Sequence, residues 1–475
     1  MSSVDHAWLR MERPVNLMMI TSVFILRERL DLETLRQVIA TRFLRFRRFR
    51  QRVVAASYTG AFWEDDPHFD LRRHVTRTAL PGEGGKAELE ELVGELMGTP
   101  LDHSKPIWQY YLIEDYQGGS AVISRIHHSY GDGIALAEVL LGITDPLAEA
   151  PAAPAPAADD SHEQTDFIHR LFQPLESAAE TTLGLGQGLL TTGLKLARTP
   201  LKTVDYARYG LRFTAESTAL TLMPGDTPTR FKGTLGPIKH AAWAEPLPLS
   251  EVRTIGHALG CSINDVLLAS VTGALRDYLL EKGDPVVTAA EIRAVVPVNM
   301  RTGPVGPELG NRFALVFLTL PLHISNPLER VYHLKRQMQA LRRSTQPVFT
   351  LALMSVTGRG PQQLQDFVVD LLSQKASAVM TNVPGPQQLR YLGGAAIEEI
   401  MFWVPQSGNI GMGVSILSYN GRVHFGLATD AGLVPDPENI INRFRDQFEQ
   451  LLLTTLMQAD WGPVPGQHEP IGPRR

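Results

Sequence analysis

The chain has 475 residues, 44% hydrophobic and 20% charged, with a formal net charge of -5. That profile excludes an intrinsically disordered protein and gives no global electrostatic reason to expect a nucleic-acid partner. The length exceeds what one hydrophobic core usually serves, so two domains are expected. The single cysteine, Cys261, rules out an intrachain disulfide framework and a cysteine-rich zinc site, and suits a reducing, cytoplasmic compartment.

Asp5, Arg10, Glu12 and Arg13 interrupt the N-terminal stretch, which therefore lacks the basic-then-apolar pattern of a signal peptide. Residues 31 to 52 place Leu32, Leu35, Ile39, Phe43 and Phe46 at helical spacing after Asp31 as N-cap, which predicts one amphipathic helix with a basic C-terminal end. Trp108 to Ile113 and Ala121 to Ile126 read as a buried hairpin with a turn containing Tyr116, Gln117, Gly118 and Gly119, its second strand running into His127 and His128. An Ala/Pro-rich tether with acidic ends follows at about 145 to 160, and 163 to 222 reads as connector helices. No run of about 18 uncharged apolar residues occurs, the nearest, 183 to 196, being broken by glycines and Lys195, so no spanning helix is expected.

Beyond the connector, 237 to 243 reads as a strand and Ser250 begins a helix. A second helix opens at Ser262, with Asp265 three residues on as a capping signal and Ile263, Val266, Val271, Ala274, Leu275, Tyr278 and Leu279 supplying much of a buried stripe. Residues 292 to 298 and 313 to 321 are strand-like, 329 to 343 is a charged helix, and Asn420-Gly421 predicts a tight hairpin. The pattern is mixed α/β: 1 to 145, a connector from 146 to 230, and 231 to 475.

Chemistry concentrates at His127-His128-Ser129-Tyr130-Gly131-Asp132-Gly133. At the end of a strand the two histidines point to opposite faces, so one can sit in the core while the other reaches a cleft. A neutral imidazole can take a hydroxyl proton and later return it to a leaving group, as acyl transfer to an alcohol requires. Asp132 reads as a structural residue that fixes the turn, while Gly131 and Gly133 allow a positive φ or a close approach. A metal site would need converging ligands that this spacing does not supply, and no GxSxG nucleophile elbow occurs.

These residues resemble the HHxxxDG signature of the bacterial wax ester synthase/acyl-CoA:diacylglycerol acyltransferase family, within the CoA-dependent acyltransferase superfamily. The resemblance extends through Asp5, Arg10, Glu12 and Pro14, then Pro106-Ile107-Trp108, Asn264-Asp265, Pro297 to Arg301, Gly310 to Phe313, Asn382 to Pro386, and Ser418-Tyr419. Departures are Ile107 in place of Leu, Thr381 in place of Ser, and Asn299-Met300 in place of Ser-Leu. The resemblance implies two chloramphenicol-acetyltransferase-like halves, mixed sheets flanked by helices, with a tunnel at their interface.

It implies transfer of a long-chain acyl group from acyl-CoA, a co-substrate, to a fatty alcohol or diacylglycerol, with no bound cofactor or metal. His128 becomes the base, and His127, Asp132 and Gly133 its support. Asn264 and Asn382 help shape the site, Asn264 or backbone amides near Asn382 being candidate oxyanion donors, while Asp265 has an equal reading as a helix cap. Arg301 is the expected partner of Asp132. The Arg-rich run from Arg42 to Arg52 reads as a solvated helix end or as a contact with an anionic membrane. That second reading would place the protein on the inner membrane or on lipid inclusions. Two other readings stay open: a condensation-type enzyme acting on carrier-bound thioesters, and a non-catalytic lipid-binding homologue.

Overall fold

The computed structural model describes residues 1–56, 60–148, 215, 218–220, 222–284, 290–300, 309–357 and 361–457. Most of the tether and connector, the apolar run at 183 to 196, and Arg301 lie outside the described residues. The described strands are β1 (Met19–Leu26), β2 (Gln51–Ala56), β3 (Gly60–Asp65), β4 (Val75–Arg77), β5 (Trp108–Tyr116), β6 (Gly119–His127), β7 (Lys239–Trp243), β8 (Leu247–Pro248), β9 (Glu291–Asn299), β10 (Phe313–Pro321), β11 (Ala378–Pro384), β12 (Tyr391–Leu392), β13 (Ala395–Trp403), β14 (Met412–Tyr419) and β15 (Arg422–Asp430). The described helices are α1 (Ser3–Met11), α2 (Leu32–Val38), α3 (Leu71–His74), α4 (Lys86–Gly98), α5 (Gly133–Gly142), α6 (Leu249–Ala258), α7 (Ile263–Glu281), α8 (Pro327–Leu341), α9 (Gln346–Thr357), α10 (Gln362–Ser373) and α11 (Pro437–Met457).

Two mixed sheets form the frame. The first runs β12-β13-β1-β6-β5-β4, the second β10-β9-β11-β14-β15-β7 with β8 beside β15. The β5–β6 hairpin turns through positive φ at Gln117 and Gly118, and the β14–β15 hairpin through Asn420 (φ 47) and Gly421 (φ 73), as the turn residues predict. β1, MITSVFIL, is apolar apart from Thr21 and Ser22 and is buried along its whole length because it lies between β13 and β6; Ser22 meets its polar need at the Ser124 hydroxyl, 2.6 Å away.

Two sequence expectations need correction. The helix foreseen over 31 to 52 ends at Val38, passes through a π turn at Ile39–Phe43, and gives way to a 3-10 turn at Arg47–Arg50 and then to β2. The π turn changes the helical phase, so Arg42 points inward to a buried ion pair with Asp145 at 2.7 Å. Nor does a boundary at 231 separate the two sheets, since β12 and β13 come from the C-terminal part of the chain yet β13 pairs with β1 over Thr21↔Trp403 to Leu26↔Ile397. The late segment thereby ties the halves together.

In the second half, α7 starts where expected. Ser262 Oγ accepts from the Asp265 N–H at 3.2 Å, and Asp265 accepts from the Ser262 N–H at 2.9 Å, a reciprocal capping box. The helix is buried on most sides and contacts α6, α8 and α11, with β9, β11, β14 and β15 completing the same core. No single described helix is long and apolar enough to cross a membrane.

Candidate active site

β6 ends at His127, and the chain turns at once into a short 3-10 segment, His128–Tyr130, before α5. The strand alternation therefore stops at His127, and the two imidazoles separate because His128 belongs to the turn. Its backbone N–H donates to the Met18 carbonyl at 2.7 Å, just ahead of β1. Asp132 is the N-cap of α5: its carboxylate accepts from the Ala135 N–H at 2.9 Å and from the Arg312 N–H at 2.7 Å.

The turn is clamped by a loop from the second half. Three successive residues meet it: the Gly310 N–H donates to the Tyr130 carbonyl at 3.2 Å, Asn311 Nδ2 to the His128 carbonyl at 3.0 Å, and the Arg312 N–H to Asp132. Gly310 has φ 99, and a Cβ there would stand 3.8 Å from the Asp5 carboxylate, so glycine answers a backbone requirement at this point. Gly131 and Gly133, by contrast, do not use a positive φ. Gly131 is extended (φ 176) and closely approached, a Cβ there meeting that of Ala135 at 3.2 Å; a Cβ at Gly133 would make only ordinary contact with Val404.

α1 supplies the third wall, through residues whose role was not legible in the sequence. Trp8 stacks on the His128 ring with centroids 3.9 Å apart, and Phe313 lies 5.6 Å from it on another side. Asp5 accepts from both the backbone and the side-chain N–H of Asn311, at 3.1 and 2.8 Å, and stands 3.6 Å from Arg48. Glu12, at the end of α1, is 3.1 Å from His127 Nε2 and 2.9 Å from His103 Nε2, and accepts from the Met18 N–H. His127 Nδ1 in turn accepts from the Ser129 N–H at 3.1 Å, which leaves Nε2 to carry the proton toward Glu12.

Burial decides the charge of each group. It pushes His128 down to about 4, opposed by the charge of Asp132 and by Asn311, so the imidazole is a free base at neutral pH. His127 is lowered by its burial as well, against the pull of Glu12. Burial would raise the Glu12 carboxyl, but the hydrogen bonds from His103, His127 and Met18 together hold it well below the ordinary carboxylate range. The Glu12 bond raises His103.

Asn264 and Asn382 are brought together elsewhere. Asn382 Nδ2 donates to Asn264 Oδ1 at 2.6 Å, joining the first turn of α7 to β11. β11 runs on through Pro384, so Asn382 lies in a strand. No described contact joins this pair to His128, and Asp265 serves in the capping box. A small pocket of about 20 Å³ beside β1 is lined by Leu17, Met19 and Thr21 on one side and Lys239, Trp403 and Val404 on the other, and no residue of the histidine turn lines it. Among the described residues no group of three or more His, Cys, Asp or Glu side chains could hold a metal ion.

Comparison with known proteins places this geometry. Residues 1–267, more than half of the chain, match the model of the wax ester synthase/diacylglycerol acyltransferase catalytic domain, and residues 309–452 match that of the WS/DGAT C-terminal domain. A Mycobacterium tuberculosis H37Rv protein with a provisional diacylglycerol O-acyltransferase name is 29% identical over 413 residues, 82% of this chain and 76% of its own. The solved wax ester synthase/diacylglycerol acyltransferase of Marinobacter aquaeolei VT8 superposes with a TM-score of 0.64 at 20% identity, over 95% of this chain and 98% of that one. The first condensation domain of the calcium-dependent antibiotic synthetase shares the fold at 15% identity, TM-score 0.60, covering 96% and 95% of the two chains.

Proposed function

Because the chain belongs to the wax ester synthase/diacylglycerol acyltransferase family, we propose that it transfers a long-chain acyl group from acyl-CoA to the hydroxyl of a fatty alcohol or diacylglycerol. The observation that carries the chemistry is the neutral, buried imidazole of His128, held where α1, the histidine turn and the loop at Gly310 to Arg312 meet. His128 removes the proton from the acceptor hydroxyl as its oxygen attacks the thioester carbonyl. The tetrahedral intermediate then collapses, the C–S bond breaks, and the imidazolium returns the proton to the departing sulfur. No acyl-enzyme forms.

A base with so low a pKa is a weak acceptor in the resting site. Its value is that it never idles in the protonated form at neutral pH, and the charge of Asp132 favours the imidazolium once the proton arrives. His127 and Glu12 act one step removed, by fixing the turn that carries His128.

The test is to follow ester formation and free CoA from palmitoyl-CoA with hexadecanol, with diacylglycerol, or with no acceptor. Acceptor-dependent release of CoA with matching ester supports the proposal and ranks the acceptors. Absence of turnover with every free acyl-CoA, joined to turnover of a carrier-bound thioester, would favour the condensation-type reaction instead.

A further inference from the structure

Glu12 has three partners, and one of them reaches solvent. Its carboxylate lies 3.1 Å from His127 Nε2 and 2.9 Å from His103 Nε2, and accepts from the Met18 N–H at 3.1 Å. The Met18 carbonyl in turn accepts from the His128 N–H, so Glu12 holds both the neighbour of the proposed base and the segment from which the base hangs. The His127 side chain is fully buried and that of Glu12 is 15% exposed, whereas that of His103 is 42% exposed. Local chemistry presents His103 to the site: Asp102 accepts from the Ser104 N–H at 2.9 Å and pairs with Lys105, which makes a tight turn just ahead of Pro106 and β5.

We propose that His103 is a positioning residue for His128: its imidazolium is the counter-charge that keeps Glu12 ionised, and the ionised carboxylate fixes His127 and Met18 around the histidine turn. A buried carboxylate needs an opposite charge as well as donors. Among the described residues the ion pairs of Glu12 run to His103 and His127. His127 is the wrong member to carry the charge, because its Nδ1 accepts from the Ser129 N–H and its burial disfavours the imidazolium. His103 is the right one, since water reaches its ring; of the charges that face it, Glu12 pulls hardest and Asp102 adds to the pull, while the buried His127 ring lies edge-on at 5.8 Å. The proposed reaction passes its proton from the hydroxyl to the departing sulfur within the site, so the array has no proton to deliver and acts as a charge clamp. Pairing with Glu12 raises His103 above the ordinary 6.5. The clamp is therefore whole below pH 6.5 and is lost as the pH rises through the raised value, where Glu12 is left a buried anion with neutral donors only. The effect on rate rests on the acyltransferase reading; the charge pairing does not.

The experiment compares the full-length wild type with His103→Gln, which keeps a donor and drops the charge, and His103→Arg, which fixes the charge at every working pH. kcat and KM for palmitoyl-CoA are followed with hexadecanol as acceptor, from about pH 6 to about pH 9. Wild-type kcat should fall about tenfold across that range, and His103→Gln should be about tenfold slow already at the acid end and lose the dependence. His103→Arg should restore the fast rate and hold it on the alkaline side, with KM for acyl-CoA unchanged in every case. Imidazole NMR gives a readout independent of turnover: His103 should titrate above 6.5 in the wild type and return toward 6.5 in Glu12→Gln. A His103→Gln variant with the wild-type rate and profile overturns the proposal, as does a wild-type His103 that titrates at or below 6.5. A folded His103→Arg variant as slow as His103→Gln also overturns it, by showing that charge at this position is not what matters. Failure of the wild type with every acceptor would count against the acyltransferase reading while leaving the titration to decide the clamp.

Discussion

An imidazole stacked 3.9 Å from Trp8 and shut away from water holds a proton poorly, so His128 stays neutral until the pH falls to about 4. Its activity as a base is present above that value and lost below it, which puts the acid limb of the kcat/KM profile near pH 4. Trp8→Ala should admit water, let the pKa climb toward the ordinary 6.5, and move that limb upward by at least one pH unit; an unmoved limb would mean that Trp8 does not set the charge of the base. Glu12→Gln removes the anion that orients His127 while leaving His128 in place. It is expected to lower kcat about tenfold to a hundredfold with KM for acyl-CoA unchanged, as a small misplacement of the base does. The histidine pair was legible because its motif is local. Trp8, Glu12 and Asn311 were not legible as partners, because their contacts with the histidine turn span more than a hundred residues of sequence and no local pattern announces them.

The elements around the site interlock through the loop at Gly310 to Arg312, which bonds the histidine turn and α1 at once. Asn311→Ala removes the side-chain donor to the buried His128 carbonyl and one of the two Asn311 donors to Asp5, which keeps the backbone N–H, and should cost about 1–3 kcal/mol of stability, read from denaturant midpoints. Gly310→Ala forces a side chain to φ 99 and is expected to cost about 1–2 kcal/mol. Among the elements, hairpins and capped helices were readable where short-range chemistry decides them, as at Asn420-Gly421 and at Ser262 with Asp265. The helix over 31 to 52 was misread because its apolar spacing fits a helix while tertiary contacts break it: Arg42 turns in to Asp145 and Phe49 stacks on Phe43 and Tyr130. β1 and β13 drew no assignment, since their burial depends on neighbours that pairing, not pattern, brings together.

At the scale of the whole molecule, the mixed α/β class followed from alternating strand and helix signals, but the exchange of β12 and β13 into the first sheet did not, because strand order leaves no trace in local sequence. Residues 1–230 expressed alone would expose the edge of β1 that β13 covers, and are expected to aggregate or to lack a cooperative unfolding transition. Acid should weaken the intact fold. His128 and His424 are both held near 4 by burial, below the 6.5 of an unfolded chain, so unfolding takes up protons as the pH drops. The stability this represents is whole above pH 6.5 and is lost between there and pH 4, up to about 3 kcal/mol per histidine, visible as a falling Tm. Such losses surround the central claim without testing it. That test is the rate of acceptor-dependent CoA release from palmitoyl-CoA at pH 7 by wild type and His128→Ala, with Tm measured on both. A drop of about a hundredfold or more in kcat with the fold retained is predicted; release that survives the substitution in a folded protein would contradict the assignment of His128 as the base.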